Sequence, residues 1–554
     1  MSIDPLPDTI VELFQLRAAM SPDAVASRQI AAGGEWACTT WSEHYREAQQ
    51  VCAAFRSLGL EKGDRLAVLA RTRREWHIAE VAGLLAGAAI VGIDPQASAE
   101  QIHFVLEHAG VSSLVVDGSH QLAVVGEAMA RLKFAIVIDA PADGTPGQGR
   151  AVHWNTLLCQ ADRAFAPPVE VHPDDPATLI YTAGTTGASK GIEYSHRKIM
   201  AGCKALAATY SALGEGEATL CWLPMAHLYQ RMMNLLAVVY GMTIYFAERP
   251  QEVLSVTALA KPTLFFAVPR FYEKLAETLR QSPDSRLALR DIMGGNVRYA
   301  ITGAAPVPLW VIECLWGAGL PLIEAYGVSE NPVPIATNLP GDRRLGSVGK
   351  PFSANEIRLA EDGEVLVRGP ALFSGYFRDE QIPLCFTDEG YYKTGDLGRF
   401  DEDGFLFLEG RKSELIKTST GRRIAPARIE AVYGESPYLD RVVVCGNGRK
   451  HLVALVNLNI GAIAEILGTE LACTADSAPK VRELILKEFE WRGEKLAPYE
   501  RVKAFAILPE PLSVAEGELT PTLKLRRKQI ENRHAMRIDR LYENERMPEG
   551  EGKQ

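Results

Sequence analysis

Several things are missing from this chain, and each absence removes a class of protein. Nine cysteines, at positions 38, 52, 159, 203, 221, 314, 385, 445 and 473, form no CxxC pair and no compact framework, which excludes a disulfide-rich scaffold and points to a reducing cytosol. There is no long apolar run: the stretch Val81 to Ile93 falls short of the roughly 20 residues that a bilayer demands. The N-terminal "MSIDPLPDTIVELFQLR" has early acidic residues and no apolar segment behind a basic start, so no signal peptide is expected. A cytoplasmic protein with at most peripheral membrane contact follows. Positive charge is also short, with 59 Lys and Arg against 69 Asp and Glu, a net charge of -10 and a pI near 5.7. That balance argues against a general nucleic-acid binder, and an acidic substrate would need a local basic pocket. No repeat recurs at a fixed period, and the polar tail "NERMPEGEGKQ" is the only biased tract.

What is present is ample apolar material. With 554 residues, 47% of them hydrophobic, the chain can bury a large core and divide into more than one domain. Apolar runs such as "RLAVLA", "SSLVVD" and "FAIVID" alternate with helix-like segments such as "AEQIHFVLEHAG", the rhythm of α/β units around a buried sheet. From about residue 346, "GSVGKPFSANEIRLAEDGEVLVRG" and "GRFDEDGFLFLEGR" read as hairpins turning at Asp-Gly, a β-rich subdomain. After "GRKSELIKTSTGRRIAP" the pattern restarts with the helix-like "PARIEAVYGES", then the strands "RVVVCG" and "KHLVALVNLN" around a Gly-Asn-Gly turn, then charged helices. The expected fold is therefore α/β, with a large domain over 1–410 and a small α+β domain over 411–554.

One stretch carries phosphate chemistry. In "YTAGTTGASKG", residues 181–191, glycines let the backbone approach an anion while hydroxyls and a lysine add donors and charge. Gly184, Thr185, Thr186, Gly187, Lys190 and Gly191 supply that set. A Walker loop needs Gly directly before the lysine and Ser or Thr directly after it. Here Ser189 precedes Lys190 and Gly191 follows, so the common NTPase reading fails. His103, Glu107 and His108 imitate a metal motif, but five residues between the imidazoles set them about 140° apart on a helix, and no zinc site follows.

Four further segments follow in order: "AYGVSE" at 325–330, "YKTGDLG" at 392–398, "GRKSELIK" at 410–417 and "LTPTLKLRR" at 519–527. Together with "YTAGTTGASKG" they resemble the ordered signature of the adenylate-forming superfamily of acyl-CoA synthetases, adenylation domains and luciferases. "LPMAHLYQR", "PTLFFAVPRFYEKL" and "LTPTLKLRR" are most similar to long-chain fatty acyl-CoA synthetases. The resemblance covers roughly residues 8 to 543 and implies two half-reactions. A carboxylate attacks the α-phosphorus of ATP, giving acyl-adenylate and pyrophosphate; a thiol, CoA or the arm of an acyl carrier protein, then displaces AMP.

The resemblance also implies roles. Thr182, Gly184, Thr185, Thr186, Gly187 and Lys190 hold the β- and γ-phosphates. Ala325, Tyr326 and Gly327 border adenine, while "ITGAAP" at 301–306 reads as a strand end turning tightly, with Gly303 and Ala304 leaving room for the purine; Ser329 donates to phosphate and Glu330 holds Mg²⁺. Asp396 accepts from both ribose hydroxyls and Arg411 reaches ribose or phosphate. His227 stands near the acyl carboxylate and α-phosphate, and Lys524 places charge on the attacking oxygen in the adenylation step. Ser413 is the hinge about which the small domain rotates between half-reactions, bringing "KTSTGRR" with Arg422 and Arg423 toward the thiol path. Four positions depart from the family's usual letters: Ala183 lacks a hydroxyl, Ser189 replaces a proline, Ser413 replaces Lys or Asp, and Thr420 replaces the first of two glycines, with Gly421 kept. These departures leave open an enzyme that uses another thiol acceptor, one that stops at the adenylate, and a homologue that binds without turnover. The segments "MMNLLAVVYGM" and "LFFAVPRF" read equally as acyl-tunnel lining and as core helix and strand.

Overall fold

The runs that read as fully buried strands become the centres of two sheets. The computed structural model describes residues 2–30, 35–139, 151–161, 167–183, 189–378, 385–467, 479–519 and 525–543. A seven-stranded sheet is ordered Ala151–His153, Phe134–Val137, Ser113–Val116, Arg65–Leu69, Ala89–Ile93, Pro176–Ala183 and Ser189–Ser195. Its pairs are parallel except the last, where Pro176–Ala183 and Ser189–Ser195 form an antiparallel hairpin. A nine-stranded sheet has a parallel centre built from Leu322–Tyr326, Tyr299–Gly303, Leu264–Ala267, Ala218–Cys221 and Thr243–Phe246. Parallel strands need crossover helices, which cover both faces, and so "RLAVL", "AIVGI" and "LFFA" are apolar without alternation.

The helix Leu228–Tyr240 packs deep between these layers, with every residue from Gln230 to Tyr240 buried. Its C-terminal carbonyls are met by the fully buried Arg17 of the helix Ile10–Met20, which donates to Val238 O at 2.7 Å and Val239 O at 2.6 Å. A cation at the negative end of a helix both satisfies orphan carbonyls and complements the helix dipole. The "MMNLLAVVYGM" segment is thus a core helix, and "LFFA" a core strand leading into the helix Pro269–Arg280.

The expected hairpins form a four-stranded antiparallel sheet: Glu356–Leu359, Glu364–Arg368, Tyr392–Phe400 and Leu406–Arg411. They turn at Gly363 and Gly404, whose φ of 84° and 82° is what Asp-Gly turns require. Beyond them lies a three-stranded sheet in which Leu439–Cys445 and Leu452–Leu458 are antiparallel and Val502–Ile507 joins in parallel. Against it pack the helices Pro426–Gly434 and Pro479–Gly493, through the stack of Tyr433 on Phe489 at 4.3 Å and Phe489 on Phe505 at 5.1 Å. The two hydrophobic clusters of this part draw only on residues from Ile416 onward, the mark of a separate core. Among the described residues no helix is long and apolar enough to cross a membrane.

Candidate functional site

The described residues on either side of the glycine-rich stretch pair as antiparallel strands. Thr182 pairs with Lys190 and Tyr181 with Gly191, while Gly184, Thr185, Thr186 and Gly187 lie outside the described residues. Gly191 is needed for packing as much as for its backbone, since a Cβ there would press on Phe377 and Tyr181 at 3.3 Å. The Lys190 ammonium sits 4.3 Å from the centre of the Tyr376 ring, a cation–π contact that holds the charge at the hairpin base.

The strands Tyr299–Gly303 and Leu322–Tyr326 run parallel with Gly303 opposite Ala325. A Cβ on Gly303 would lie 2.8 Å from Ala325 O, so only glycine lets the two strand ends meet. Directly after it Ala304 takes a φ of 72°, the tight turn that "ITGAAP" suggested. At the end of its strand Tyr326 is buried and donates its hydroxyl to Asp396 Oδ2 at 2.6 Å. Asp396 faces Arg411 across the antiparallel pair Tyr392–Phe400 and Leu406–Arg411, and Arg411 Nε lies 3.0 Å from Asp396 Oδ1. Burial and the Asp396 charge raise the Tyr326 phenol well above its ordinary range, so it remains a neutral donor. Two residues earlier on the same strand face, the Glu324 carboxyl is pushed up by burial to about 8, although the Val307 N–H bonds to it.

Glu330 is positioned by hydroxyls from two other elements. Tyr376 donates to Glu330 Oε1 at 2.6 Å and lies 3.2 Å from the Tyr392 hydroxyl. The backbone is fixed as well: Tyr194 donates to Ser329 O at 2.6 Å, and Phe373 N–H to Glu330 O at 2.9 Å. Burial and the neighbouring Glu330 charge raise the Tyr376 phenol. Lys190, Tyr376 and Glu330 therefore form one connected group.

His227 occupies the N-terminal cap of the helix Leu228–Tyr240 and is half-exposed, with Nε2 3.7 Å from Asp94 Oδ2 at the end of the strand Ala89–Ile93. Burial works to raise the Asp94 carboxyl, but the contact with His227 and the Gln96 N–H at 2.9 Å outweigh it and hold it below the usual value.

Lys524 lies outside the described residues. Around it, Arg526 N–H donates to Glu518 O at 2.8 Å, and Arg527 bridges Glu414 at 3.2 Å and Glu430. Ser413 sits in a single tight turn, Lys412–Glu414, directly after Arg411. In the following hairpin the Thr420 hydroxyl is 2.8 Å from that of Thr418, Gly421 has a φ of 83°, and Arg422 lies 4.3 Å over the Tyr499 ring.

The fold thus brings Tyr326, Asp396 and Arg411 into direct contact, and Glu330 and Lys190 together through Tyr376. No contact among the described residues joins His227 to either group. The sequence reading passed over Tyr376, Tyr392, Asp94 and Glu324. Tyr392 opens the "YKTGDLG" segment, and "GIDP", an aspartate at the end of an apolar strand run, is the signal for Asp94. His103 and His108 turn to separate partners, Val124 O and the Tyr181 hydroxyl, each at 2.8 Å. Among the described residues no three His, Cys, Asp or Glu gather as a metal cluster.

Residues 14–377 match the family described as AMP-binding enzyme, and residues 413–546 the family described as AMP-binding enzyme C-terminal domain. The long-chain-fatty-acid–CoA ligase FadD15 of Mycobacterium bovis is 31% identical over 584 residues, spanning 95% of each chain. The long-chain-fatty-acid–CoA ligase ACSBG2 of Xenopus laevis is 27% identical across 98% of this chain and 85% of that one. Among solved structures, the adenylation domain of a carboxylate reductase from Mycobacterium chelonae superposes with a TM-score of 0.82 at 21% identity, covering 98% of this chain and 92% of that one. The o-succinylbenzoate CoA synthetase of Bacillus subtilis, in complex with ATP and a magnesium ion, gives 0.74 at 24% identity over 94% and 99%. The chain belongs to the AMP-binding enzyme family and is an ATP-dependent, adenylate-forming acid–thiol ligase.

Proposed function

We propose that this ligase activates a long-chain fatty acid as its acyl-adenylate, releasing pyrophosphate, and transfers the acyl group to CoA with release of AMP. The observation that carries the acyl chain length is the 31% identity, over 95% of both chains, to a long-chain-fatty-acid–CoA ligase. The geometry supports the nucleotide roles. A carboxylate fixed between a phenol and a guanidinium, as Asp396 is, grips a vicinal diol without first having to be ordered. Tyr326 flanks the base, with Gly303, Ala304, Ala325 and Gly327 as its small neighbours, and Arg411 adds charge beside the ribose. Thr182, Gly184, Thr185, Thr186, Gly187 and Lys190 take the β- and γ-phosphates with Ser329, and His227 and Lys524 meet the reacting carboxylate and α-phosphate.

The donor set at Glu330 fits Mg²⁺. That ion keeps several waters and takes one or two carboxylates plus phosphate oxygens, and Glu330 is a single carboxylate braced by a tyrosine hydroxyl. When bound, the ion neutralises phosphate charge. The division of labour runs over 1–410 for ATP and acid and 411–554 for the part that carries Lys524, with Ser413 between. A panel of C6 to C20 acids, assayed for acid-dependent ATP–pyrophosphate exchange and then for thioester formation with CoA or a carrier-protein arm, tests the reading. Highest kcat/KM at C14 to C18 and thioester on CoA are expected; preference for short acids, or acyl transfer to the carrier alone, contradicts it.

A further inference from the structure

The seven-stranded sheet grips the segment that carries His227 at four points. Buried Thr72 donates its hydroxyl to Leu223 O at 2.7 Å. Gly92 runs directly against Ala226: a Cβ on Gly92 would lie 2.7 Å from Ala226 Cα and 2.9 Å from its carbonyl oxygen, so backbone meets backbone here. One helical turn beyond His227, buried Arg231 donates to Glu80 Oε1 and to Thr178 Oγ1, both at 2.6 Å. The fourth point is Asp94, two residues past Gly92, with one oxygen 3.7 Å from His227 Nε2 and the other accepting the Gln96 N–H at 2.9 Å. Among the described residues the imidazole has no other charged partner.

We infer that Asp94 is a positioning residue for His227: its carboxylate holds Nε2 and leaves Nδ1 as the nitrogen that faces the acyl carboxylate and the α-phosphate. The inference rests on the role proposed above for His227. Its physics is simple. A carboxylate fixed 3.7 Å from one ring nitrogen favours the rotamer that turns that nitrogen toward it, which sets where the other nitrogen points. Three of the four grips exist without Asp94, so the segment keeps its place when the carboxylate is removed. Only the orientation of the ring is then at stake. An imidazole free to rotate about χ2 donates to the reacting oxygens for only part of the time, and preorganisation is lost.

The test is a double-mutant cycle in the full-length enzyme, read by palmitate-dependent ATP–pyrophosphate exchange: wild type, Asp94→Asn, His227→Ala and both together. Asp94→Asn is expected to lower kcat by about tenfold with the KM for ATP and the melting temperature unchanged, as loss of orientation without loss of nucleotide binding demands. Asp94→Glu, which returns the charge one methylene away, is expected to recover part of that loss. The double variant should match His227→Ala within about twofold, because a residue that acts through another has nothing left to act on. Wild-type exchange in Asp94→Asn beside an impaired His227→Ala, or losses that multiply in the double variant, overturns the inference alone. Wild-type exchange in His227→Ala removes both the proposed role of His227 and the inference built on it.

Discussion

The Tyr326 hydroxyl donates to Asp396 across 70 residues of sequence, at 2.6 Å, and in doing so ties the end of a parallel sheet to the middle of an antiparallel one. Both side chains are already oriented when nucleotide arrives, and each Asp396 oxygen keeps a lone pair for a further donor. The phenol is buried and cannot ionise at physiological pH, and the carboxylate already accepts one bond from it and one contact from Arg411. On the ribose role proposed for Asp396, the site is built before ATP enters, and its members should not contribute independently.

Removing the Tyr326 hydroxyl alone tests that coupling. A hydrogen bond to a charged group contributes about 1.5–3 kcal/mol, so Tyr326→Phe should raise the KM for ATP by about tenfold or more while leaving the KM for the acid unchanged. Asp396→Asn should lower kcat/KM for ATP further, and the double variant should fall short of the product of the two losses. Steady-state kinetics with each substrate varied in turn reads all three.

Tyr376 joins Lys190 to Glu330, and its two functions separate chemically. Tyr376→Phe keeps the ring beneath the Lys190 ammonium but removes the hydroxyl from Glu330. Partners that support a metal ligand are worth about tenfold in metal affinity, so the Mg²⁺ concentration for half-maximal exchange should rise by about that factor. Tyr376→Leu should add a higher KM for ATP, from the unseated lysine.

Two titratable groups, one buried and one partly buried, give stability opposite pH slopes. The His77 imidazole, buried beside Phe14, His44 and Phe246, is held down to about 3 by burial and then by the charges of Arg74 and Arg231. Between about 3 and 6.5 the unfolded chain takes up a proton that the folded one refuses, so stability rises with pH there and is lost as pH falls. Glu324 is the reverse. Between 4.5 and about 8 the folded chain keeps a proton that the unfolded one has released, so stability falls as pH rises. Melting temperatures from pH 4 to 9 should show the acid-side slope flattened by His77→Phe and the neutral-side slope flattened by Glu324→Gln.

The buried Arg231–Glu80 pair should be costly to halve. Each of Arg231→Met and Glu80→Gln leaves one buried group without its counter-charge, a loss of about 3–5 kcal/mol, whereas a joint Arg231→Met, Glu80→Leu variant should recover part of the melting temperature. A joint variant less stable than either single one would contradict this.

Much of this was legible in the sequence because it is local. Asp-Gly turns announced the four-stranded sheet, unbroken apolar runs announced the parallel strands, and Gly303 with Ala304 announced the sharp turn beside the nucleotide end. What sequence left open was whatever depends on partners distant in the chain. The sequence places Tyr326 at the end of an apolar strand run, but its burial and its bond to Asp396, 70 residues away, are set by the fold. Tyr376 stands 46 residues from Glu330, in a stretch with no periodicity or motif to single it out. Asp94 gains meaning only where Gly92 lets the backbone at Ala226 come into close contact. The "MMNLLAVVYGM" run was undecidable because a buried helix and a tunnel wall demand the same apolar letters.

The proposed reaction makes an acyl-adenylate before any thiol acts. A single-turnover reaction of enzyme in excess over α-labelled ATP, with palmitate and Mg²⁺ and without CoA, measures it directly. The account predicts label in a palmitoyl-AMP species, with pyrophosphate released, and conversion of that species to AMP and palmitoyl-CoA when CoA is added. Label appearing as ADP, or remaining as ATP until CoA is present, would contradict it.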